Sequence, residues 1–479
     1  MAEGTTTAEP IATAPDGAAP KADGFSPGYR AWLLLLLTLM SALNLADRQG
    51  IAALVPVLKT DLKLTDTQVG FMQGFAFALF FTVLALPIAR LSEHRRRSLI
   101  IGGSVAVFSA FVFLCSRATS FIQILLGRVG VGAGDAGFAP PVSSLIGDHF
   151  PPERRTSAMT WVWIGAPAGA FLGASIGGWV AQNADWRWWF VGLAVPSAIL
   201  ALLIFLTMRE PARGTFDAPG AATRKPPSIV KVAEFMLSKR AMLNVLIGAG
   251  LASTGMNGIG QFLARFFVSN FHLGPADAGK LLGGIGVAGM ASGLALGGFG
   301  LSWMARRDRR WFVWGPAIGL LLSAPFFMSG VFAASQSSIM IPAILLLLGH
   351  VTLFVYYTPS IALAQNMVDS SMRASAAFIL TITLNLVGIG VGPLLIGFVS
   401  DTMAQHSFAL GSFAALCPGG AAAHGAGADL VQACGVASRA GIADAIGGAS
   451  LLFIWSAVHY WLAARHLEAD LDRAYVESN

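Results

Sequence analysis

The sequence predicts an all-α integral membrane protein, with twelve transmembrane helices in two pseudo-symmetric six-helix bundles. Three observations carry that expectation. Of 479 residues 55% are hydrophobic and only 12% charged, and mean hydropathy is +0.66, a balance outside the range of soluble domains. Twelve stretches approach the roughly 20 apolar residues that a spanning helix needs. A polar segment divides them six and six, and the two halves echo one another.

Residues 1–29 are rich in Ala, Thr, Pro, Gly and Asp and lack the apolar core of a cleaved signal. They read as a disordered cytoplasmic tail, with the first span acting as the insertion signal. An N-terminal bundle over 30–208 contains spans near 31–58, 68–91, 97–116, 120–147, 156–182 and 187–208. Residues 209–239 form a cytoplasmic linker, polar at first and then amphipathic from Ser228 to Lys239, as a surface-lying helix would be. A C-terminal bundle over 240–467 holds spans near 240–270, 276–304, 311–333, 338–367, 372–401 and 441–465. An extracytoplasmic loop is expected at 402–440 and a cytoplasmic tail at 468–479.

Orientation follows from Lys and Arg. One set of loops carries Arg95, Arg96 and Arg97, then Arg154 and Arg155, the basic linker, Arg306, Arg307, Arg309 and Arg310, and Arg373. The opposite set is poorer in Lys and Arg, so both termini are expected inside, in a cell (inner) membrane. The net charge of +6 then belongs to topology and not to a nucleic-acid partner. Placing Pro141 on Pro359 without a gap superposes Arg155 on Arg373, Ser157 on Ser375 and Ala158 on Ala376. The basic loop Glu93–Arg97 likewise matches Ala305–Arg310 at an equivalent span number. A six-helix duplication leaves such echoes.

The chemistry concentrates on spans one and four. Asp47 and Arg48 are adjacent, while Arg128 and Asp135 lie two helical turns apart, on nearly one face and about 10 Å apart in rise. Charges at this depth cost several kcal/mol each unless they face one another or a cavity. Adjacent side chains diverge by about 100°, so Asp47 and Arg48 address different partners. Two carboxylates competing for one arginine would respond to an anion that takes the arginine, a physical basis for coupling protons to transport. Gly132–Gly137 spells G-x-G-x-x-G, but it lies inside a spanning run without the strand that a dinucleotide site requires. Those glycines read instead as a surface for close approach to span one.

In the second half Asn257, Gln261, His350, Tyr356, Tyr357 and Asn385 are polar within spans, by default as interhelical partners. His350 has no neighbour at metal-ligand spacing, so no metal is expected. Phe138, Trp161 and Trp163 are candidates to line a cavity. Cys417 and Cys434 share one loop; a bridge closing about 16 residues would contribute roughly 3 kcal/mol, with two free thiols as the alternative. No nucleophile with its base and no P-loop stands out, so an enzyme is not expected and no cofactor is implied.

The segments Asn44-x-x-Asp47-Arg48, ALPIARLSEHRRRSLI, Gly127-Arg128-x-Gly130-x-Gly132-x-Gly134-Asp135 and IGDHFPPERRTSAM resemble the major facilitator superfamily, and more narrowly its spinster-type lipid transporters, across nearly all of residues 31–465. The resemblance implies the major facilitator fold, two six-helix bundles rocking about a central cavity. It implies export of amphipathic lipids such as sphingosine-1-phosphate or lysophospholipids, driven by protons or another ion. Asp47 and Asp135 take the proton-coupling positions, and Asp135 stands where the family commonly has glutamate. Arg48, Arg128, Phe138, Asn257, Gln261, Tyr356 and Asn385 are assigned to substrate binding. Glu93, Arg97, Arg154 and Arg155 form a cytoplasmic gate, in which Glu93 replaces the loop motif's aspartate and faces the N-terminus of span eleven. In the second copy Ser302 and Trp303 replace the acid and base, so that latch is expected to be lost.

The expected function is proton-linked secondary transport, by alternating access, of an amphipathic organic anion, sphingosine-phosphate-like or a lysophospholipid. The alternatives are a small hydrophilic anion such as a hexuronate, or a non-transporting membrane lipid sensor. The expected partners are a small-molecule or lipid substrate, protons and the bilayer, with the chain a monomer.

Overall fold

The computed structural model describes residues 25–212, 228–333, 338–368, 372–423 and 425–478. Among the described residues eleven helices are long and apolar enough to cross a membrane; the twelfth crossing, span four, is broken. It runs as Phe121–Asp135 and Ala139–His149, not as the continuous helix expected over 120–147. Pro140 and Pro141 lack N–H groups and crowd the carbonyls of Ala136 and Gly137, so the chain must stop and restart there. Span ten breaks for the same reason, as Met340–Phe354 and Tyr357–Asn366, with Pro359 four residues beyond Val355.

Spans one, three, five, six, seven and nine are Pro27–Asp61, Arg97–Ser116, Pro152–Asn183, Arg187–Thr207, Arg240–Phe271 and Trp311–Phe332. Spans two, eight and eleven each contain a wider i→i+5 turn, at Phe71–Phe75, Leu296–Gly300 and Thr383–Val391. Their end segments are Asp66–Gly70 and Ala76–His94, Pro275–Ala295 and Leu301–Ala305, and Arg373–Ile382 and Gly392–His406. Span twelve is Ala428–Ser478. It starts thirteen residues before the expected 441, and span eleven continues to His406, so the loop expected at 402–440 contracts to 407–427. The tail expected at 468–479 is helical through Ser478. A disulfide joins Cys417 to Cys434 with Cα atoms 5.6 Å apart.

Ser26 begins span one by accepting from the Tyr29 N–H at 3.2 Å, just before Pro27. A capping box of Thr65 and Gln68 begins span two. Span one packs along span five through glycines. A Cβ on Gly165, Gly169, Gly173 or Gly177 would lie 2.2, 2.0, 2.4 or 2.8 Å from backbone atoms of Thr38, Ala42, Ala46 or Gly50. Two helices with matching four-residue spacing thus touch backbone to backbone. The glycines of span four face elsewhere. Gly132 meets the Phe77 carbonyl of span two, while Gly130, Gly134 and Gly137 meet Phe111, Phe108 and Ser104 of span three. The expectation that they bring span four against span one is corrected.

The C-terminal bundle has one continuous apolar core. In the N-terminal bundle the core divides, one part holding Leu33 to Met40 and the other Ala46 to Leu58; the charged residues sit at that seam. The linker helix Ile229–Ser238 is capped by Ser228 and buries Val232 and Met236. Tyr29 donates to the Arg209 carbonyl and the Ala241 N–H donates to Asp470 at 2.8 Å, so both ends of the described chain lie at one end of the molecule. At the opposite, far end the bundles close together. There Arg265 pairs with Asp66, Ser400 donates to Asp66 at 2.8 Å, and the Asp66 and Thr67 N–H groups donate to Asp401 at 3.0 and 2.7 Å.

Candidate functional site

Span one and both halves of span four's break frame the site. Arg128 donates to Asp47 at 2.5 Å, and both side chains are shut in, 2% and 1% exposed. Arg48 reaches Asp135 at 3.3 Å, and Asn44 donates to the other Asp135 oxygen at 2.5 Å. The Arg48 side chain is 23% exposed. The Phe77 ring lies 4.4 Å from the Arg48 guanidinium carbon and 5.5 Å from that of Arg128, adding a cation–π contact to each. Two cations and two anions cancel here, which makes burial tolerable. The pairing differs from the expected competition of two carboxylates for one arginine: each acid has its own. The helix explains this, because Asp47 and Arg48 diverge while span four offers Arg128 and Asp135 two turns apart.

Beside this cluster a cavity of ≈ 800 Å³ lies between the bundles. Arg48, Asp135 and Asn44 give it a charged wall, and Asn385, Thr381 and Ser375 of span eleven face them. Phe77, Phe81, Phe138, Trp163, Tyr357 and Phe378 line it with rings, among alanines, isoleucines and Leu45. The lining continues past Pro140 to Ile229 of the linker helix, so the cavity reaches the end bearing the termini. A second cavity, ≈ 260 Å³, is lined by Leu45, which it shares with the first, and by Gln49, Asn257, Gln261 and His350 among alanines, glycines and Met290. His350 Nδ1 lies 2.8 Å from the Leu346 carbonyl, which can only accept, so this nitrogen is a donor.

The family model of the Major Facilitator Superfamily matches residues 37–393. The chain belongs to that superfamily. Within it the chain is of the spinster type. A bacterial homologue of the human lysosomal transporter Spinster, solved in an inward-facing and unoccupied conformation, superposes with TM-score 0.84 at 26% identity, over 93% of this chain and 99% of that one. An MFS-type efflux pump of Mycolicibacterium smegmatis is 29% identical, covering 78% of this chain and 85% of the pump. A sphingosine-1-phosphate transporter of Xenopus tropicalis is 26% identical over 80% of this chain and 78% of its own length. The chain is accordingly a multi-pass membrane transporter.

Seen on this transporter, the residues expected to bind substrate divide. Arg48, Phe138 and Asn385 line the larger cavity, and Asn257 and Gln261 the smaller. Arg128 lines neither; its charge is spent on Asp47. Tyr356 is fully buried against Tyr460 and also lines neither, whereas Tyr357 lines the larger cavity. Adjacent side chains on a helix diverge by about 100°, and sequence spacing does not reveal which of the two tyrosines faces the cavity. Asn44, Phe77 and Thr82 were not singled out as site residues. Only Asn44 carries a signal, one helical turn before Arg48.

The gate residues also separate. Arg97 is buried and bonds Asp148 at 2.5 Å, Glu210 at 2.7 Å and Ser144, all within its own bundle. Burial alone would raise the Glu210 carboxyl, but Arg97 and the Ser98 N–H hold it below the usual carboxylate range. Arg154 is exposed, and the side chains of Glu93 and Arg155 fall outside the described residues.

Proposed function

We propose that this transporter moves an amphipathic organic anion, sphingosine-phosphate-like or a lysophospholipid, by alternating access linked to protons, with both termini cytoplasmic. The observation that carries this reading is Arg48. It is the arginine of the four-charge cluster that lines the ≈ 800 Å³ cavity, and apart from its partner Asp135 the surrounding wall is aromatic, apolar, amide or hydroxyl. An anionic head finds a guanidinium there, and an acyl or sphingoid tail finds aromatic rings and the adjoining alanine- and glycine-lined space.

Coupling follows from the hydrogen bonds. A head that engages Arg48 draws it from Asp135, and a buried carboxylate that loses its cation is neutralised by a proton. Asn44 remains to hold the carboxyl in place. Asp47 and Arg128 keep their own pairing and give span four a fixed anchor on span one. Proton binding and anion binding thereby favour each other, and both are released when the cavity opens to the other side.

In proteoliposomes, Arg48→Ala is expected to abolish lysolipid flux. Asp135→Asn is expected to leave binding measurable while flux stops responding to an imposed pH gradient. Gradient-driven flux that persists in both variants would overturn the proposal.

A further inference from the structure

The turn between spans eight and nine is the second copy of the basic loop, and transport as described uses none of it. Its four arginines are not equivalent. Arg310 pairs with Glu468 at 2.6 Å, and Arg307 lies 5.2 Å over the Trp303 ring. The side chains of Arg306 and Arg309 have no ion pair or hydrogen bond among the described residues. Both line a cavity of ≈ 460 Å³ with Ser302, Phe312, Leu363 and Asn366. The carboxylates at this turn are already engaged: Asp308 accepts from the Arg310 N–H at 2.8 Å and Glu468 from its guanidinium.

Phe312 belongs to the first turn of span nine, a 22-residue helix whose N-cap makes no side-chain bond. The positive end of its dipole adds to the two guanidinia. On the adjoining helix, Phe299 is 83% and Trp303 58% exposed, with Leu296 also open. A pocket with unmatched positive charge therefore abuts a lipid-facing apolar flank. Tryptophan at this level is typical of the headgroup zone, and basic pockets between spanning helices suit anionic headgroups.

We propose that this cavity binds the phosphodiester headgroup of an anionic phospholipid, with Arg306 and Arg309 flanking the phosphate and the acyl chains running along Phe299 and Trp303. The ligand occupies the outside of the C-terminal bundle and is distinct from any transported substrate. A soluble phosphate would satisfy the arginines but would leave the exposed flank unused.

The test uses the full chain purified in a neutral detergent, with Tm followed as lipid is added. Phosphatidylglycerol is expected to raise Tm in a saturable way, and phosphatidylcholine of the same acyl chains is not. In Arg306→Gln with Arg309→Gln, the phosphatidylglycerol concentration giving half the shift should rise about tenfold or more, as expected when two charge-assisted hydrogen bonds are lost. Arg117→Gln with Lys280→Gln removes the same charge at the far end and should respond like the parent. An unchanged response in the Arg306 and Arg309 variant would overturn the proposal, as would equal shifts from the two lipids. An equal shift from glycerol phosphate at the same concentration would overturn the lipid as the source of the anion.

Discussion

Four charged residues within one membrane bundle have two physical roles, divided by access to the cavity. The Arg128 and Asp47 side chains are 2% and 1% exposed, while Arg48 at 23% borders open space. Removing Asp47 leaves a guanidinium in a dry site, which costs about 3–5 kcal/mol. Asp47→Asn is therefore expected to lower Tm sharply, and Asp47→Leu combined with Arg128→Met to recover most of the loss. Asp135→Asn should cost less, because Arg48 can turn to the cavity and Asn44 still bonds the new amide. Equal losses for the two single variants would show that the division is wrong. The sequence displayed the four charges and the divergence of Asp47 from Arg48. It left the pairing open, because that depends on how span four is rotated against its neighbours. Tyr356 illustrates the same limit, since which of two adjacent tyrosines meets the cavity depends on how span ten is turned against its neighbours.

Among the elements, contact between spans one and five is set by absent side chains. A Cβ on Gly169 would lie 2.0 Å from the Ala42 carbonyl oxygen, whereas one on Gly103 of span three meets nothing within 4 Å. Gly169→Ala must push two helices apart, at a cost of about 1–3 kcal/mol, the usual range for overpacking. Gly103→Ala is expected to cost nothing. Comparing their Tm values checks this, and equal values would refute the close contact. The four-residue spacing from Gly165 to Gly177 is legible in the sequence, whereas the partners of the span-four glycines, which are spans two and three, are not. Apolar length located all twelve spans. Pro140 and Pro141 could have announced the break in span four. The early start of span twelve was hidden because residues 428–440 mix small apolar residues with Asp429, Gln432, Ser438 and Arg439, and their helix packs on the disulfide-tied segment and bonds Arg265 through Ser438.

On the scale of the whole molecule, alternating access requires that the far-end contact be strong enough to close and weak enough to release. Asp401 of the C-terminal bundle accepts from the first N–H groups of span two in the other bundle, a helix cap supplied across the moving interface. Arg265 and Ser400 reinforce it through Asp66, and Lys59 lies 2.7 Å from the same carboxylate. The loop tied by Cys417 and Cys434 completes the closure: Gly419, at φ +73°, lies so near the Lys59 carbonyl that a Cβ would come within 2.5 Å. The contacts that cross between the bundles belong to the state in which the far end is shut and cannot survive its opening intact, whereas the Lys59–Asp66 pair lies within the N-terminal bundle. Asp401→Ala removes two N–H acceptors and a charge that faces a helix N-terminus, together worth about 1–3 kcal/mol. A loss of that size shifts a two-state population roughly 5- to 150-fold. Spin labels at positions 185 and 277, on far-end turns of opposite bundles, should therefore report a longer distance population in Asp401→Ala than in the parent. The label distances in Arg310→Gln, which lies at the other end, should stay as they are. If Asp401→Ala leaves the far-end distances unchanged, the cap does not hold the gate, and closure rests on the glycine contacts of span two with span eleven, where Gly70 and Gly74 abut the carbonyls of Pro393 and Ile389.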